Sequence, residues 1–271
     1  MSTLFDLSGK HALLTGGTGA LGTAMARGLL AAGARVALLS RNPENLQSAA
    51  DELGADAGAV ILLRGDVTDR QSLEAARDEL KSKWGKLDIL VNAAGGNRAG
   101  ATIGPEQTFF DLNLEDFAGV SKLNLDGTVI PSLIFGQLIT EGAGGSIVNI
   151  SSMAADRAIT RVVGYSAAKA GIDNFTRWLA VEMARKYDGR VRVNAIAPGF
   201  FIGEQNRRLL LEEDGSLTAR GKTIIASTPM NRFGKAEELI TTLVYLCADA
   251  SSFVTGIVVP VDGGFSAFSG V

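Results

Sequence analysis

Residues 15–22 read TGGTGALG, and the spacing of their glycines decides how the rest of the chain is read. Gly17, Gly19 and Gly22 fit G-x-G-x-x-G, a spacing that lets backbone approach a pyrophosphate at a helix start. Thr15, Gly16 and Gly22 fit most of a second pattern, T-G-x-x-x-G-x-G, with Ala20 in place of its middle glycine. Both registers need the same setting. KHALLTG before the loop reads as a short buried strand, and LGTAMARGLLAAGA after it as a helix stopped near Gly33. A strand, a glycine loop and a helix gather free N–H groups and a positive helix end at one point, which suits an anion. A plain tight turn before a helix would look the same.

The pattern continues outward. RVALLS is a second strand and PENLQSAADELG a helix with Pro43 in its first turn and Gly54 at its end. GAVILLRGDV, LDILVNAAGG, GSIVNISS, VRVNAIAPG and GIVVPVDGG read as further strands. Helical segments cover DRQSLEAARDELKSKWG, about 115–141, VVGYSAAKAGIDNFTRWLAVEMARKY and AEELITTLVYLCAD. Strands apolar throughout, alternating with amphipathic helices, predict a parallel sheet covered on both faces. The expectation is an α/β chain in which residues 1–271 form one Rossmann-like, doubly wound parallel sheet. An irregular stretch over 199–233 is expected to cover a substrate, because long ordered loops in compact domains are commonly lids.

Composition narrows the chemistry. At 271 residues and 46 % hydrophobic, one large domain is favoured over two small ones. A net charge of −3 gives no footprint for nucleic acid. One cysteine, Cys247, excludes an internal disulfide and fits a reducing, cytoplasmic setting. One histidine, His11, lies in the first strand, which nearly excludes a His/Cys zinc site. A Ser-His-Asp triad would have to use this histidine, which precedes every candidate nucleophile loop. MSTLFDLSGK lacks a long apolar core, so no signal peptide is expected, and no apolar run suggests a membrane span.

The loop residues Gly16, Thr18, Gly19, Ala20 and Leu21 are candidate contacts for a dinucleotide. The second strand ends in Ser40, Arg41 and Asn42, and no acid occurs between Gly22 and Pro43. An Asp or Glu there would bind the ribose hydroxyls of NAD. Arg41 can instead bind a 2′-phosphate in a fork, so NADP(H) is expected over NAD(H); the alternative is a solvated arginine at a helix start. Asp66, followed by Val67, could accept from the adenine amino group or cap the next helix. Asn92, Ala93, Ala94 and Gly95 end the fourth strand with small side chains, which permit a close cofactor approach or simply close packing. Pro198, Gly199 and Phe201 follow the sixth strand at the same sheet edge.

GYSAAKAG places Tyr165 and Lys169 on one helical face. Tyrosine in water is a poor base at neutral pH, and a nearby ammonium favours its phenolate. The pair can therefore move a proton to or from an alcohol oxygen. Ser152 precedes Tyr165 by thirteen residues and could hold the same oxygen, or cap a turn.

At these residues the chain resembles the short-chain dehydrogenase/reductase family. TGGTGALG, NAAG, NLDG, NISS, YSAAK and NAIAPG occur in the family's order over nearly the whole chain. The resemblance implies a nicotinamide cofactor and a tetrad of Asn124, Ser152, Tyr165 and Lys169. In the family, Tyr is the acid/base, Ser positions the reacting oxygen, Lys binds the nicotinamide ribose, and Asn helps hold a relay water. The resemblance also favours the T-G-x-x-x-G-x-G register. It implies a homotetramer, with helices near 115–141 and 163–187 between subunits, although burial within one subunit explains their apolar content equally well. One departure is Gly203, where the family often has a Thr that touches the nicotinamide carboxamide; backbone N–H groups or the neighbouring EQNR would then serve.

The lid and C-terminus look similar to the branch that interconverts D-fructuronate and D-mannonate. A sugar acid needs a cation for its carboxylate and amide or hydroxyl partners for its hydroxyls. Asn97 and Arg98 follow the NAAGG turn, Arg161 lies between Ser152 and Tyr165, and Gln205, Asn206 and Arg207 open the lid. With Ser152 and Tyr165 they are the candidate substrate contacts. Other keto-acid sugars, 5-ketogluconate or 4-deoxy-5-hexoseulose uronate, would suit the same charges. A non-catalytic nucleotide sensor is the other class of reading, and such proteins typically lose the Tyr or Lys retained here.

Overall fold

The computed structural model describes residues 4–54, 58–203 and 206–270. Its strands are β1 (His11–Thr15), β2 (Arg35–Ser40), β3 (Val60–Arg64), β4 (Ile89–Asn92), β5 (Gly145–Ile150), β6 (Val191–Pro198) and β7 (Val258–Val261). All pair in parallel, in the order β3-β2-β1-β4-β5-β6-β7. The order reverses between β1 and β4, and ligands bind doubly wound sheets at the carboxyl ends of the strands beside such a reversal. Thr15, Ser40, Asn92, Ile150 and Pro198 therefore all end at one edge.

Period-two alternation splits each strand between two cores. Ala12 and Leu14 of β1 join the core capped by α1 (Ala20–Ala31), α2 (Pro43–Leu53) and, late in the chain, α9 (Ile240–Cys247). Leu13 points the other way, into the core under α3 (Arg70–Trp84), α5 (Gly127–Glu141) and α6 (Val163–Lys186). Local chemistry sets the helix starts. Asn42 accepts from the N–H groups of Glu44 and Asn45, and Pro43 follows it; Asp69 accepts from those of Gln71 and Ser72.

Two segments differ from the sequence expectation. The helix expected near 115–141 is three pieces: α4 (Leu114–Ser121), a π turn over Lys122–Asp126, and α5. Pro131 in α5 has no N–H to give the Gly127 carbonyl, and π turns often mark functional positions. The irregular 199–233 stretch contains α7 (Arg207–Leu210) and α8 (Ala219–Ala226), joined by a bridge between Leu211 and Leu217. His11 starts β1, stacked on Trp84 at 4.7 Å between ring centroids, at the end of that strand away from the glycine loop.

Candidate active site

The glycine loop resolves its two registers. Gly16 has φ +67, and a Cβ there would lie 2.7 Å from the Cα and N of Ala94. A Cβ on Gly22 would overlap the carbonyl oxygen of Gly16 and sit 2.8 Å from the Gly17 Cα. At Gly19 the nearest foreign atom would be 3.8 Å away. The backbone thus demands glycine at 16 and 22, and tolerates a methyl at 19. Ala20 is simply the first residue of α1, with Gly19 as its N-cap. Thr15 ties this loop to the next strand: its Oγ1 accepts from Ala93 N at 3.1 Å and Ala94 N at 3.2 Å. A Cβ on Gly95 would lie 2.6 Å from Asn124 Oδ1 and 3.4 Å from Lys169 Nζ. Side-chain-free backbone at 16, 22 and 95, beside a helix N-terminus, is a cradle that fits a dinucleotide.

At the ends of β2 and β3, Ser40 is half-buried and Arg41 exposed, with Arg41 Nη1 3.9 Å from Asp66 Oδ2. Asn42 caps α2, so its amide oxygen is committed to that turn. Asp66 accepts from Thr68 N at 2.9 Å and Thr68 Oγ1 at 2.8 Å, while Asp69 caps α3. The helix-cap alternative for Asp66 is thereby removed. Val67 packs where a Cβ on Gly127 would go. Three cofactor candidates keep only their backbone for a ligand. Asn92 Nδ2 donates to Ser132 Oγ and Asn149 Oδ1, both at 2.9 Å, inside the core. Phe201 is 7 % exposed and its ring lies against Gly234. Pro198 ends β6, and Gly199 N donates to the Val261 carbonyl at 3.0 Å.

Ser152, Tyr165 and Lys169 come together. The Tyr165 hydroxyl lies in the neighbourhood of the Ser152 side chain. Lys169 is 4 % exposed; its Nζ donates to the Ile150 carbonyl at 2.7 Å and stands 5.4 Å from the Tyr165 ring centroid. Burial pushes the ammonium of Lys169 down to about 8, against the opposing charge of Asp173. Burial also pushes the Tyr165 hydroxyl up, with the Ser152 side chain opposing. The net direction is opposite to the expected lowering by Lys169: loss of water around the phenolate raises Tyr165, and Ser152 opposes it. Asn124 is fully buried on the π turn. Its Oδ1 accepts from Gly96 N at 3.1 Å, and its Nδ2 donates to the carbonyls of Gly96 at 2.7 Å and Val120 at 2.9 Å. The side chain therefore clamps the loop after β4.

Two polar features escaped the sequence reading. Asp173, one turn beyond Lys169 and only 8 % exposed, accepts a short hydrogen bond from Ser151, next to Ser152. The Asn92–Asn149 bond continues through Asn149 Nδ2 to Thr176 Oγ1 at 2.9 Å, locking β4 and β5 to α6. Helical spacing from Lys169 could have flagged Asp173; nothing local flags a pairing between strands.

The candidate substrate residues are less uniform. Asn97 donates to Thr102 Oγ1 at 2.8 Å. Arg98 is exposed and its guanidinium lies over Gly119 of α4. Asn206 uses its amide to close its own turn, accepting from Gly203 N and donating to the Phe201 carbonyl, each at 2.8 Å. The Gly203 N–H is thus already engaged within this turn, and so is the Asn206 side chain of the EQNR stretch. Arg207 is exposed at the start of α7, and Gln205 lies outside the described residues. Arg161 has a left-handed backbone at φ +78.

Known proteins resemble this chain in sequence and in fold. A family model described as Enoyl-(Acyl carrier protein) reductase matches residues 17–266. The uncharacterized oxidoreductase UxuB of Bacillus subtilis is 46 % identical over 98 % of both chains. A crystal structure from Haemophilus influenza, with a provisional assignment as a D-mannonate oxidoreductase and with bound NAD, is 38 % identical. It superposes with a TM-score of 0.91 over 98 % of both chains. A protein from Beutenbergia cavernae, provisionally an NAD(P)-dependent gluconate 5-dehydrogenase with NADP bound at low occupancy, is 30 % identical. Its TM-score is 0.85, over 98 % of this chain and all of that one. This chain belongs to the short-chain dehydrogenase/reductase family, enzymes that pass hydride between an NAD(P) cofactor and a CH–OH carbon.

Proposed function

We propose that this enzyme interconverts a keto sugar acid and its hydroxy acid with NADP(H), D-fructuronate and D-mannonate being the favoured pair. The observation that carries this reading is the Ser152–Tyr165–Lys169 cluster at the carboxyl edge of the sheet, with Arg98 in the loop after β4, Arg161 in the segment before α6 and Arg207 at the start of α7. When bound, the nicotinamide supplies or takes the hydride. Tyr165 exchanges the proton of the substrate oxygen, which Ser152 holds by a hydrogen bond. Lys169 presents its ammonium to the ribose and keeps positive charge beside the phenol, while Asn124 fixes the loop against which the nicotinamide packs. Other keto-acid sugars fit the same charges and stay as competing substrates.

The absence of an acid at the end of β2, where Ser40 and Arg41 stand, supports NADP(H), with Arg41 beside the 2′-phosphate. Exposed Leu133 on α5 and exposed Trp178 and Val181 on α6 support a homo-oligomer built on those helices. No helix among the described residues is long and apolar enough to cross a membrane. The single buried cysteine supports a reducing, cytoplasmic setting.

The test compares D-fructuronate with D-fructose, a neutral ketose, using NADPH and NADH, in the natural protein and Ser40→Asp. The acid is expected to show kcat/KM about 100-fold higher, the worth of a charge-assisted pair. Ser40→Asp, which sets a carboxylate at the phosphate site, is expected to swing the NADPH/NADH ratio about tenfold toward NADH. Equal rates for acid and ketose would remove the sugar-acid reading, and an unmoved cofactor ratio would remove the phosphate site at Arg41.

A further inference from the structure

Among the described residues three non-glycine positions have left-handed backbone: Asp188 at φ +52, Asn231 at φ +53 and Arg161 at φ +78. Asp and Asn adopt this region readily, whereas a long side chain does so at a cost. Arg161 is held there by its surroundings. Its carbonyl accepts from Ile103 N at 3.0 Å, tying the segment before α6 to the loop after β4. The preceding residue, Thr160, accepts from Arg220 Nη1 at 3.4 Å, which brings lid helix α8 onto the same segment. Arg161 and Arg220 are both half-buried, and burial together with the neighbouring Arg161 charge pushes the ionisation of Arg220 down. Among the described residues, neither arginine has an acid within ion-pair distance. Nearby Arg157 pairs with Asp156, and Arg232 in the lid pairs with Glu238.

Two like charges held together and partly out of water repel, and an anion between them relieves both the repulsion and the desolvation. Guanidinium groups suit a carboxylate because each offers a planar fork of donors. The segment carrying Arg161 leads from Ser152 to Tyr165, four residues before the tyrosine, so the chain joins the pair to the reacting cluster. We propose that Arg161 and Arg220 form a clamp for the carboxylate of an acidic sugar, with α8 closing on the end of the substrate away from Tyr165. The identity of that ligand rests on the sugar-acid reading above. Arg220 thereby becomes the lid residue that sets acid preference, ahead of Arg98 and Arg207.

The test is calorimetric titration of D-mannonate, and of its neutral analogue D-mannitol, into NADP⁺-loaded protein carrying Tyr165→Phe to stop turnover. In that background D-mannonate is expected to bind about tenfold or more tightly than D-mannitol. Adding Arg220→Gln, or separately Arg161→Gly, should erase this difference and leave D-mannitol affinity unchanged. Glycine suits the left-handed backbone at 161, so that variant keeps the fold. Arg220→Lys, which keeps the charge and loses the fork, should fall between. The clamp is overturned if Arg220→Gln retains the preference, if it loses both ligands alike, or if the parent shows no preference. If D-mannonate preference depends on Arg220 and yet no keto sugar acid is turned over, the clamp stands and the substrate reading falls.

Discussion

Replacing Tyr165 with Phe is expected to lower kcat about 1,000-fold while leaving the dissociation constant for NADPH within a factor of about three. The ring survives this change and with it the packing of α6; only the hydroxyl is removed. Two obvious substitutes are otherwise placed. Lys169 is buried and donates to the Ile150 carbonyl, and the single histidine is at the opposite end of β1. Ser152→Ala should cost less, about 100-fold, because it removes a hydrogen bond to the substrate oxygen and spares the acid itself. Steady-state rates with cofactor titrations for each variant check both numbers. A Tyr165→Phe enzyme that keeps a tenth of its rate would remove Tyr165 from the chemistry.

The second large effect concerns the glycine loop. Gly22→Ala is expected to weaken NADPH binding about 100-fold and to lower thermal stability by about 1–3 kcal/mol, since its methyl has no room beside Gly16. Gly19→Ala should change the affinity less than about threefold and leave melting in place, because its nearest neighbour would be 3.8 Å away. The pair of variants asks which of two overlapping patterns the backbone obeys. Similar losses at both positions would mean that G-x-G-x-x-G governs after all.

Much of this protein was legible before its structure. Alternating apolar strands and amphipathic helices foretell the parallel sheet because each strand must be buried on both faces. The Tyr165–Lys169 spacing foretells a shared helical face because it is one turn of α-helix. Side-chain commitments across the sheet were not legible. Asn92 and Asn206 look like ligands in the sequence, yet one bonds across β4 and β5 and the other closes its own turn. The upward direction of the Tyr165 ionisation is hidden in the sequence for the same reason: burial depends on the whole fold, whereas the lysine is visible four residues away. Arg220 was missed because its partner segment lies some sixty residues earlier, and no local pattern joins them. The lid helices were hidden by their brevity, since neither is long enough to show a helical period.

The central claim is hydride transfer to a keto sugar acid, and its most direct measurement is loss of NADPH absorbance with D-fructuronate, followed by identification of the product. D-tagaturonate, 5-ketogluconate and the 4-deoxy uronate run beside it. The account predicts stoichiometric NADPH oxidation with formation of D-mannonate, abolished in Tyr165→Phe. NADPH that binds and stays reduced with all four acids would contradict it.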